Sequence, residues 1–214
     1  MAKKAKAKSK PAKKPKPKPA AQPGTAGEVD RLKAQLKEAR AKITALEARA
    51  DIDPLLDIPN RRGFERELTR ALAYIKRYGT EAALIYLDLD GFKAINDAHG
   101  HAAGDALLKA VTAVLAAKVR ASDMIGRLGG DEFALLLWNL GASQAAAKAL
   151  DLERWVAQTS IVQGTASLSV GASAGVTNLS PGDTPPQAIE AADRAMYVRK
   201  NERRAGQAIM SGVS

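Results

Sequence analysis

Cysteine is absent from this 214-residue chain. Its absence removes disulfide scaffolds, thiolate zinc sites, iron–sulfur clusters and thiol nucleophiles together. Histidine is nearly absent. His99 and His101 are the only two, too few for a multi-histidine metal cage. No apolar run reaches the roughly 18 residues that a membrane span needs. The basic N-terminus has no apolar stretch behind it, so it does not read as a secretory signal. The expected location is therefore the cytoplasm. Acidic residues are missing before Glu28, whereas nine lysines fall within residues 1–20. The net charge of +10 thus leaves about +1, by subtraction, for residues 21–214.

That Lys/Ala/Pro segment holds too little apolar surface to offset the entropy of ordering, so residues 1–24 are expected to be disordered. Two readings fit it. One is electrostatic attachment to an anionic membrane, peripheral at the inner face, or to nucleic acid, through residues 1–20. The other is a solubilising spacer, since a charge block carries no address of its own.

The rest of the chain suits a folded domain: 46% of all residues are hydrophobic and 26% charged, near the soluble globular average. Residues 28–50 place Val29, Leu32, Leu36, Ala39, Ile43, Leu46 and Ala50 at spacings of three and four. This is an a/d heptad pattern, preceded by a capping box of Thr25 and Glu28. In a parallel dimer Glu28 would face Lys33, Lys42 would face Glu47, and Gln35 would face Arg40. A homodimer through 28–50 is expected, against the plainer alternative of one amphipathic helix packed on its own domain.

Beyond residue 53, helical and strand-like patterns alternate. Arg61–Tyr78 sets Phe64, Leu68, Leu72 and Ile75 on one helical face. Ala82–Leu87 is a short apolar run that ends in Asp88. Gly104–Val119 is helical, with Leu107, Leu108, Val111, Val114 and Leu115 inward. Met124–Leu128 and Phe133–Trp138 flank Gly129-Gly130-Asp131-Glu132, a hairpin with a polar tip. Ser143–Gln158 reads as a helix, and Ala166–Val176 as one strand with Gly171 and Gly175 marking bulges. Pro185 and Pro186 start a helix that continues over Ile189–Lys200. One α/β or α+β domain with helices packed on a sheet follows.

Asp88 ends a buried strand, and Asp90 lies two residues on, on the same side. If that strand neighbours the hairpin, Asp88 and Asp131 meet at one end of the sheet. Two carboxylates and a backbone carbonyl such as that of Leu89 make an oxygen-only set suited to Mg²⁺, which keeps few protein ligands and takes the rest from phosphates. Gly129 and Gly130 would let a triphosphate approach the backbone. Taken singly, each acid reads equally as an ordinary turn residue.

Together they match a family. Arg127-Leu128-Gly129-Gly130-Asp131-Glu132-Phe133 resembles the signature of GGDEF domains, the diguanylate cyclases. Asp88-Leu89-Asp90-Gly91-Phe92-Lys93-Ala94-Ile95-Asn96-Asp97 is similar to the family's D-x-D-x-F-K-x-I-N-D stretch. Gly100-His101 and Gly104-Asp105 fall at its G-H-x-x-G-D spacing, and Ala192-Asp193-Arg194-Ala195-Met196-Tyr197 resembles its A-D-x-A-[LM]-Y helix. The resemblance covers residues 53–205. It implies an α+β sandwich: a palm-like βαββαβ nucleotidyl-cyclase core with an extra hairpin and a mainly antiparallel sheet. The expected organisation is a tail over 1–24, a coiled-coil helix over 25–52, a GGDEF domain over 53–205 and a C-terminal tail over 206–214.

The resemblance further implies an enzyme that condenses two GTP into cyclic di-3′,5′-GMP and releases two pyrophosphates. Asp88, the Leu89 carbonyl and Asp131 would hold Mg²⁺, two ions per site, with Mn²⁺ as a substitute. Asp131 would be the base for a 3′-hydroxyl, with Glu132 as the alternative. Asn96 and Asp105 match guanine-binding positions, where a carboxylate accepts from N1–H and the 2-amino group, which adenine lacks. Phe92, Gly129 and Gly130 belong to the same substrate site. His101 would line it or serve as a structural histidine in a Gly-rich turn. Lys93, Lys200 and Arg204 would meet phosphate. Because one site binds one GTP, two domains must face each other, which gives the heptads a purpose. Arg120-Ala121-Ser122-Asp123 resembles the family's R-x-x-D site, at which the product cyclic di-GMP binds and inhibits. Without the family it would be a helix end with a surface ion pair. The competing readings are a catalytically silent domain that senses cyclic di-GMP through Arg120 and Asp123, and a scaffold built on the tail and coiled coil.

Two stretches depart from the pattern. In the lead-in D-x-L-T-G-L-x-N-R-R, Leu56 replaces threonine and Asp57 replaces glycine. After the last helix motif, A-K-x-x-G-R-N reads Arg199-Lys200-Asn201-Glu202-Arg203-Arg204-Ala205.

Overall fold

The computed structural model describes residues 25–211, with the side chains of 27–40, 42 and 50–203. The basic tail over 1–24, residues 212–214, and the side chains of Ile43, Leu46, Glu47 and Arg204 lie outside the described residues, while 206–211 of the expected C-terminal tail are helical. The chain divides into two compact units, Met1–Thr44 and Ala45–Ser214.

Helix α1 spans Thr25–Ala50. Thr25 is thus the first helical residue rather than the cap before it, a one-residue difference within the ordinary ambiguity of helix ends. Val29, Leu32 and Leu36 lie 46%, 55% and 51% exposed along it. Lys42 pairs with Glu38 one turn back at 2.8 Å.

In the second unit, α2 covers Arg61–Tyr78, with Asn60 capping its start by accepting from the Gly63 amide. Strand β1, Ala82–Asp90, follows. Then come α3 (Phe92–His99) and α4 (His101–Ala117). Gly100, with φ 81°, separates these two helices in a left-handed conformation that side chains resist. β2 (Met124–Arg127) and β3 (Glu132–Trp138) form the expected hairpin. α5 covers Ala142–Ala157. β4 (Ser160–Gln163) pairs with β5 (Ala166–Ser169), β6 covers Gly171–Asn178, and α6 runs from Pro185 to Ser211.

The main sheet has the order β2-β3-β1-β6 and is antiparallel throughout. With α3 and α4 counted as one helical stretch, the run from β1 to β6 without the β4–β5 hairpin is βαββαβ, the expected palm-like α+β plan. Side chains alternate across the sheet. Ile85, Leu87 and Leu89 of β1 join one core with Leu107 and Leu115 of α4 and Leu152 and Val156 of α5. Leu84 and Tyr86 join the other with Phe64 and Leu68 of α2 and Ala192 and Met196 of α6. Burial on both faces explains why β1 reads as a continuous apolar run.

The strand expected over Ala166–Val176 is two strands in different sheets. Val170, buried between them, marks the crossing. Nor is Gly175 a bulge: it stands in regular register opposite Tyr86. A Cβ there would lie 2.0 Å from the Met196 amide nitrogen and 2.3 Å from the Ala192 carbonyl oxygen. The glycine lets α6 lie directly on β6. α6 also continues past Lys200 to Ser211, and Arg203 stands where the family pattern has a glycine.

Candidate active site

β1 and β3 pair so that Asp88 lies opposite Glu132. The Leu89 amide then donates to the Asp131 carbonyl at 3.1 Å. Asp88, Asp131 and Glu132 therefore gather at one end of the central strand pair, and the Leu89 carbonyl sits one residue beyond the ladder. Burial raises the Asp88 carboxyl above its ordinary value. Lys200 opposes that shift, and the nearby charges of Asp131 and Asp90 add to it.

Lys200 projects from α6 and its ammonium donates to Asp88 Oδ1. α6 is locked there by a second set of charges. Glu153 of α5, almost fully buried, accepts from the Ala174 amide at 2.9 Å and from Arg199 at 3.3 and 3.1 Å. Arg203 lies 3.6 Å from both Asp90 and Glu153 and donates to the Ala172 carbonyl. Asp90 in turn accepts from the Ser173 hydroxyl at 3.0 Å.

The Gly129-Gly130 turn is held from behind. Arg127 donates to the carbonyls of Gly129 and Gly130 at 3.0 and 2.7 Å, and reaches Asp53 Oδ2 at 3.0 Å. Arg61 donates to the Leu128 carbonyl at 2.9 Å and lies 3.9 Å from Glu132. A Cβ on Gly129 would fall 2.2 Å from Glu132 Oε2, so the carboxylate occupies the space that the glycine leaves. Tyr86 hydrogen-bonds Glu132; burial first, and then Glu132, push its phenol well above the ordinary value. It therefore stays protonated and acts as a donor. A cavity of about 530 Å³ opens on the Asp53, Arg61 and Arg127 side of this turn.

Asn96 and Gly104 meet where α3 packs on α4. A Cβ on Gly104 would lie 2.0 Å from Asn96 Oδ1 and 3.0 Å from the Phe92 ring. Asn96 Oδ1 is buried and lacks a hydrogen-bond partner. Phe92 itself is buried in the core. Lys93, His101 and Asp105 are exposed on α3 and α4, and no described hydrogen bond or ion pair ties them to the acids. Arg204 shares α6 with Lys200, its side chain lying outside the described residues.

Arg120 and Asp123 form the turn between α4 and β2, close in sequence to Asp131, but Asp123 bonds Trp138 at the end of β3 away from the Gly129-Gly130 turn. Asp123 accepts from the Arg120 amide at 2.9 Å and from the Trp138 amide at 3.1 Å. The plainer alternative of a surface ion pair between the two side chains is not seen among the described salt bridges, and Asp123 takes these backbone amides instead. Beside them is a cavity of about 400 Å³ lined by Lys118, Arg120, Asp123, Gln144, Lys148 and Asp151, among others.

Sequence reasoning missed Tyr86, Arg127 and Glu153. Tyr86 stands two residues before Asp88, hence on the same face of the strand, a signal that was available. Arg127 belongs to the signature, but its hold on the glycine turn shows only in the fold. Nothing local marks Glu153, because its hydrogen-bond partners lie 21 and 46 residues on, on β6 and α6.

The family described as "Diguanylate cyclase, GGDEF domain" matches residues 50–206. Among curated relatives, the probable diguanylate cyclase DgcE of Escherichia coli K12 is 38% identical over 167 residues, covering 77% of this chain and 15% of its own length. The diguanylate cyclase TpbB of Pseudomonas aeruginosa is 35% identical over 181 residues, 83% of this chain and 40% of TpbB. This chain thus spans well under half of either relative. Among solved structures, diguanylate cyclase SiaD of P. aeruginosa in complex with its activator SiaC aligns with a TM-score of 0.69 at 32% identity, covering 83% of this chain and 68% of that one. The coiled coil and GGDEF domain of Caulobacter crescentus DgcB, in complex with c-di-GMP, aligns at 0.69 with 27% identity, covering 83% and 94%. A family match over most of the chain, on a palm-like sheet whose acids and glycine turn stand where the signature requires, shows that this protein belongs to the GGDEF domain family.

Proposed function

We propose that the chain is a diguanylate cyclase, joining two GTP into cyclic di-3′,5′-GMP with release of two pyrophosphates. The observation that carries this reading is the meeting of Asp88, Asp131 and Glu132 at the Gly129-Gly130 turn, with Lys200 reaching in from α6. The names of DgcE, TpbB and SiaD point the same way.

The donor set fits a hard divalent cation: it is all oxygen, its carboxylates are close enough to perturb each other, and one already holds a cationic group. Asp88, the Leu89 carbonyl and Asp131 would hold Mg²⁺ or Mn²⁺. When bound, the metal polarises the triphosphate and neutralises charge on the departing pyrophosphate. The chain's own residues do the rest. The open Gly129-Gly130 backbone admits phosphate, and Lys93, Lys200 and Arg204 supply positive charge to it. Asn96, whose buried Oδ1 lacks a partner, would take the guanine edge together with the exposed Asp105. Glu132 is held over Gly129 by Tyr86 and Arg61, which supports a role in shaping the turn and leaves Asp131 to take the proton of the attacking 3′-hydroxyl.

Each site holds one GTP, so the reaction needs two domains, and the exposed apolar strip of α1 supports their pairing as a homodimer. Product control belongs to Arg120 and Asp123 beside their cavity. The C. crescentus DgcB structure in complex with c-di-GMP supports product binding.

The test is incubation of nucleotide-stripped protein with GTP and Mg²⁺, with product identified by mass, beside Asp131→Asn. Cyclic di-GMP from the wild type, reduced by about 10²-fold or more in the variant, is the expected result for a lost general base. No product, with cyclic di-GMP binding that Arg120→Ala abolishes, would replace the enzyme by an effector.

A further inference from the structure

The ammonium of Lys200 sits on Asp88, the carboxylate assigned to the metal. Both side chains are largely enclosed, 17% and 14% exposed, so water screens the pair poorly. A divalent cation arriving at Asp88 must therefore displace Lys200 or share the carboxylate with it, against like-charge repulsion.

The backbone that carries Lys200 has little freedom to retreat. Arg199, its neighbour, is bonded twice to buried Glu153. Arg203, one turn later, is tied to Asp90, Glu153 and the Ala172 carbonyl. Arg199 and Arg203 are two of the positions at which the chain departs from A-K-x-x-G-R-N. Both departures thus serve to pin α6 on either side of Lys200. Release of Asp88 then falls to the lysine side chain alone, whose four-carbon stem can swing. A triphosphate on the Gly129-Gly130 turn offers that ammonium several oxygens in exchange for one carboxylate.

We propose that Lys200 is a placeholder for the metal: in the nucleotide-free protein it holds Asp88, and it yields the carboxylate only when phosphate oxygens take it over, so divalent cation is admitted with nucleotide rather than before it. The inference rests on the reading of Asp88 and Asp131 as metal ligands.

Free Mn²⁺ measured by electron paramagnetic resonance tests this on the full chain stripped of nucleotide. Without nucleotide, Lys200→Met should bind Mn²⁺ about tenfold more tightly than wild type, within the usual range for two coupled binding events. Lys200→Arg, which keeps the cation, should stay near wild type. Lys200→Gln is a second neutral variant should the methionine one not fold. The advantage should vanish when a GTP analogue with a methylene bridge between its α- and β-phosphates saturates the site. It should also vanish when Asp88→Asn is added. Equal Mn²⁺ affinity of wild type and the neutral variants without nucleotide overturns the placeholder and leaves the cyclase reading standing. A tighter affinity that survives Asp88→Asn overturns it too, since the gain then lies elsewhere. No Mn²⁺ binding by any of these proteins, even with the analogue, overturns both the placeholder and the metal site.

Discussion

Asp57 carries a left-handed backbone, φ 55°, where a Cβ crowds the following carbonyl. Its amide donates to the Asp53 carbonyl at 3.0 Å, while Asp53 Oδ1 accepts from Leu55 and Leu56 at 3.0 and 2.9 Å. The lead-in turn therefore keeps the conformation that the family's glycine supplies, with strain in its place. Asp57→Gly should stabilise the protein by about 0.5–1 kcal/mol in urea unfolding, the relief of strain exceeding the extra entropy glycine loses on folding. Asp53 passes the turn's position to Arg127 and so to the glycine pair. The two substitutions leave this link intact. Asp88 gives a second residue-scale prediction. Its carboxyl takes a proton more readily in the folded chain than in the unfolded one, chiefly through burial, with Lys200 holding the shift back. Such a group costs stability once it is ionised in both states, and the cost shrinks as pH falls from the folded value towards the lower unfolded one, below which it is gone. Lys200→Met removes the opposing cation, so Asp88 should rise further. Denaturant unfolding should then show a larger loss for this variant at neutral pH than in acid, once Asp88 gains its proton in both the folded and the unfolded chain. An equal loss at both would mean that Lys200 does not govern Asp88.

Elements were legible where one periodicity ran unbroken. Arg61–Tyr78 is helical over the span its apolar face indicates, between an Asn60 cap and Gly79. Asp88 and Asp131 read as neighbours only on the condition that their strands pair, and the β1–β3 ladder supplies that condition. Ala166–Val176 was not legible as two strands: small residues on both sides of Val170 give no alternation by which to locate a crossing between sheets. The contact that fixes α6 was equally hidden, because Glu153, Ala174 and Arg199 come together only after folding. Glu153 connects three elements, α5, β6 and α6. Glu153→Ala removes a nearly buried charge, leaves the Ala174 amide without its acceptor and frees two arginines. A loss of about 2–3 kcal/mol is expected, below the upper range for a broken buried pair because Arg199 can reach solvent. Glu153→Gln, which preserves an acceptor for the amide, should lose less. Chemical denaturation of both variants separates these terms, and equal losses would assign the whole effect to charge.

At the scale of the molecule, the proposed reaction would demand more than one copy of the domain, since its product would contain two nucleotides and each site would take one. The pattern of α1 would meet that demand. Val29, Leu32 and Leu36 repeat at heptad spacing, and each is about half exposed on the single chain, a strip of apolar surface that a second α1 would cover. Only about three heptads are present, with alanine at two core positions, so the pairing should be weak and sensitive to concentration. Leu32→Glu combined with Leu36→Glu places like charges in both helices of the seam. Analytical ultracentrifugation should show the wild type moving from monomer to dimer with concentration and the double variant remaining monomeric. Cyclase activity per chain should follow the same curve. At micromolar protein the variant should fall by about tenfold or more, since tethered domains meet at millimolar effective concentration. Raising its concentration should recover the rate, because neither substitution touches the acids, the glycine turn or Lys200. A variant that stays monomeric yet keeps full activity at high dilution would show that the domains meet without α1, and the heptad strip would then need another partner.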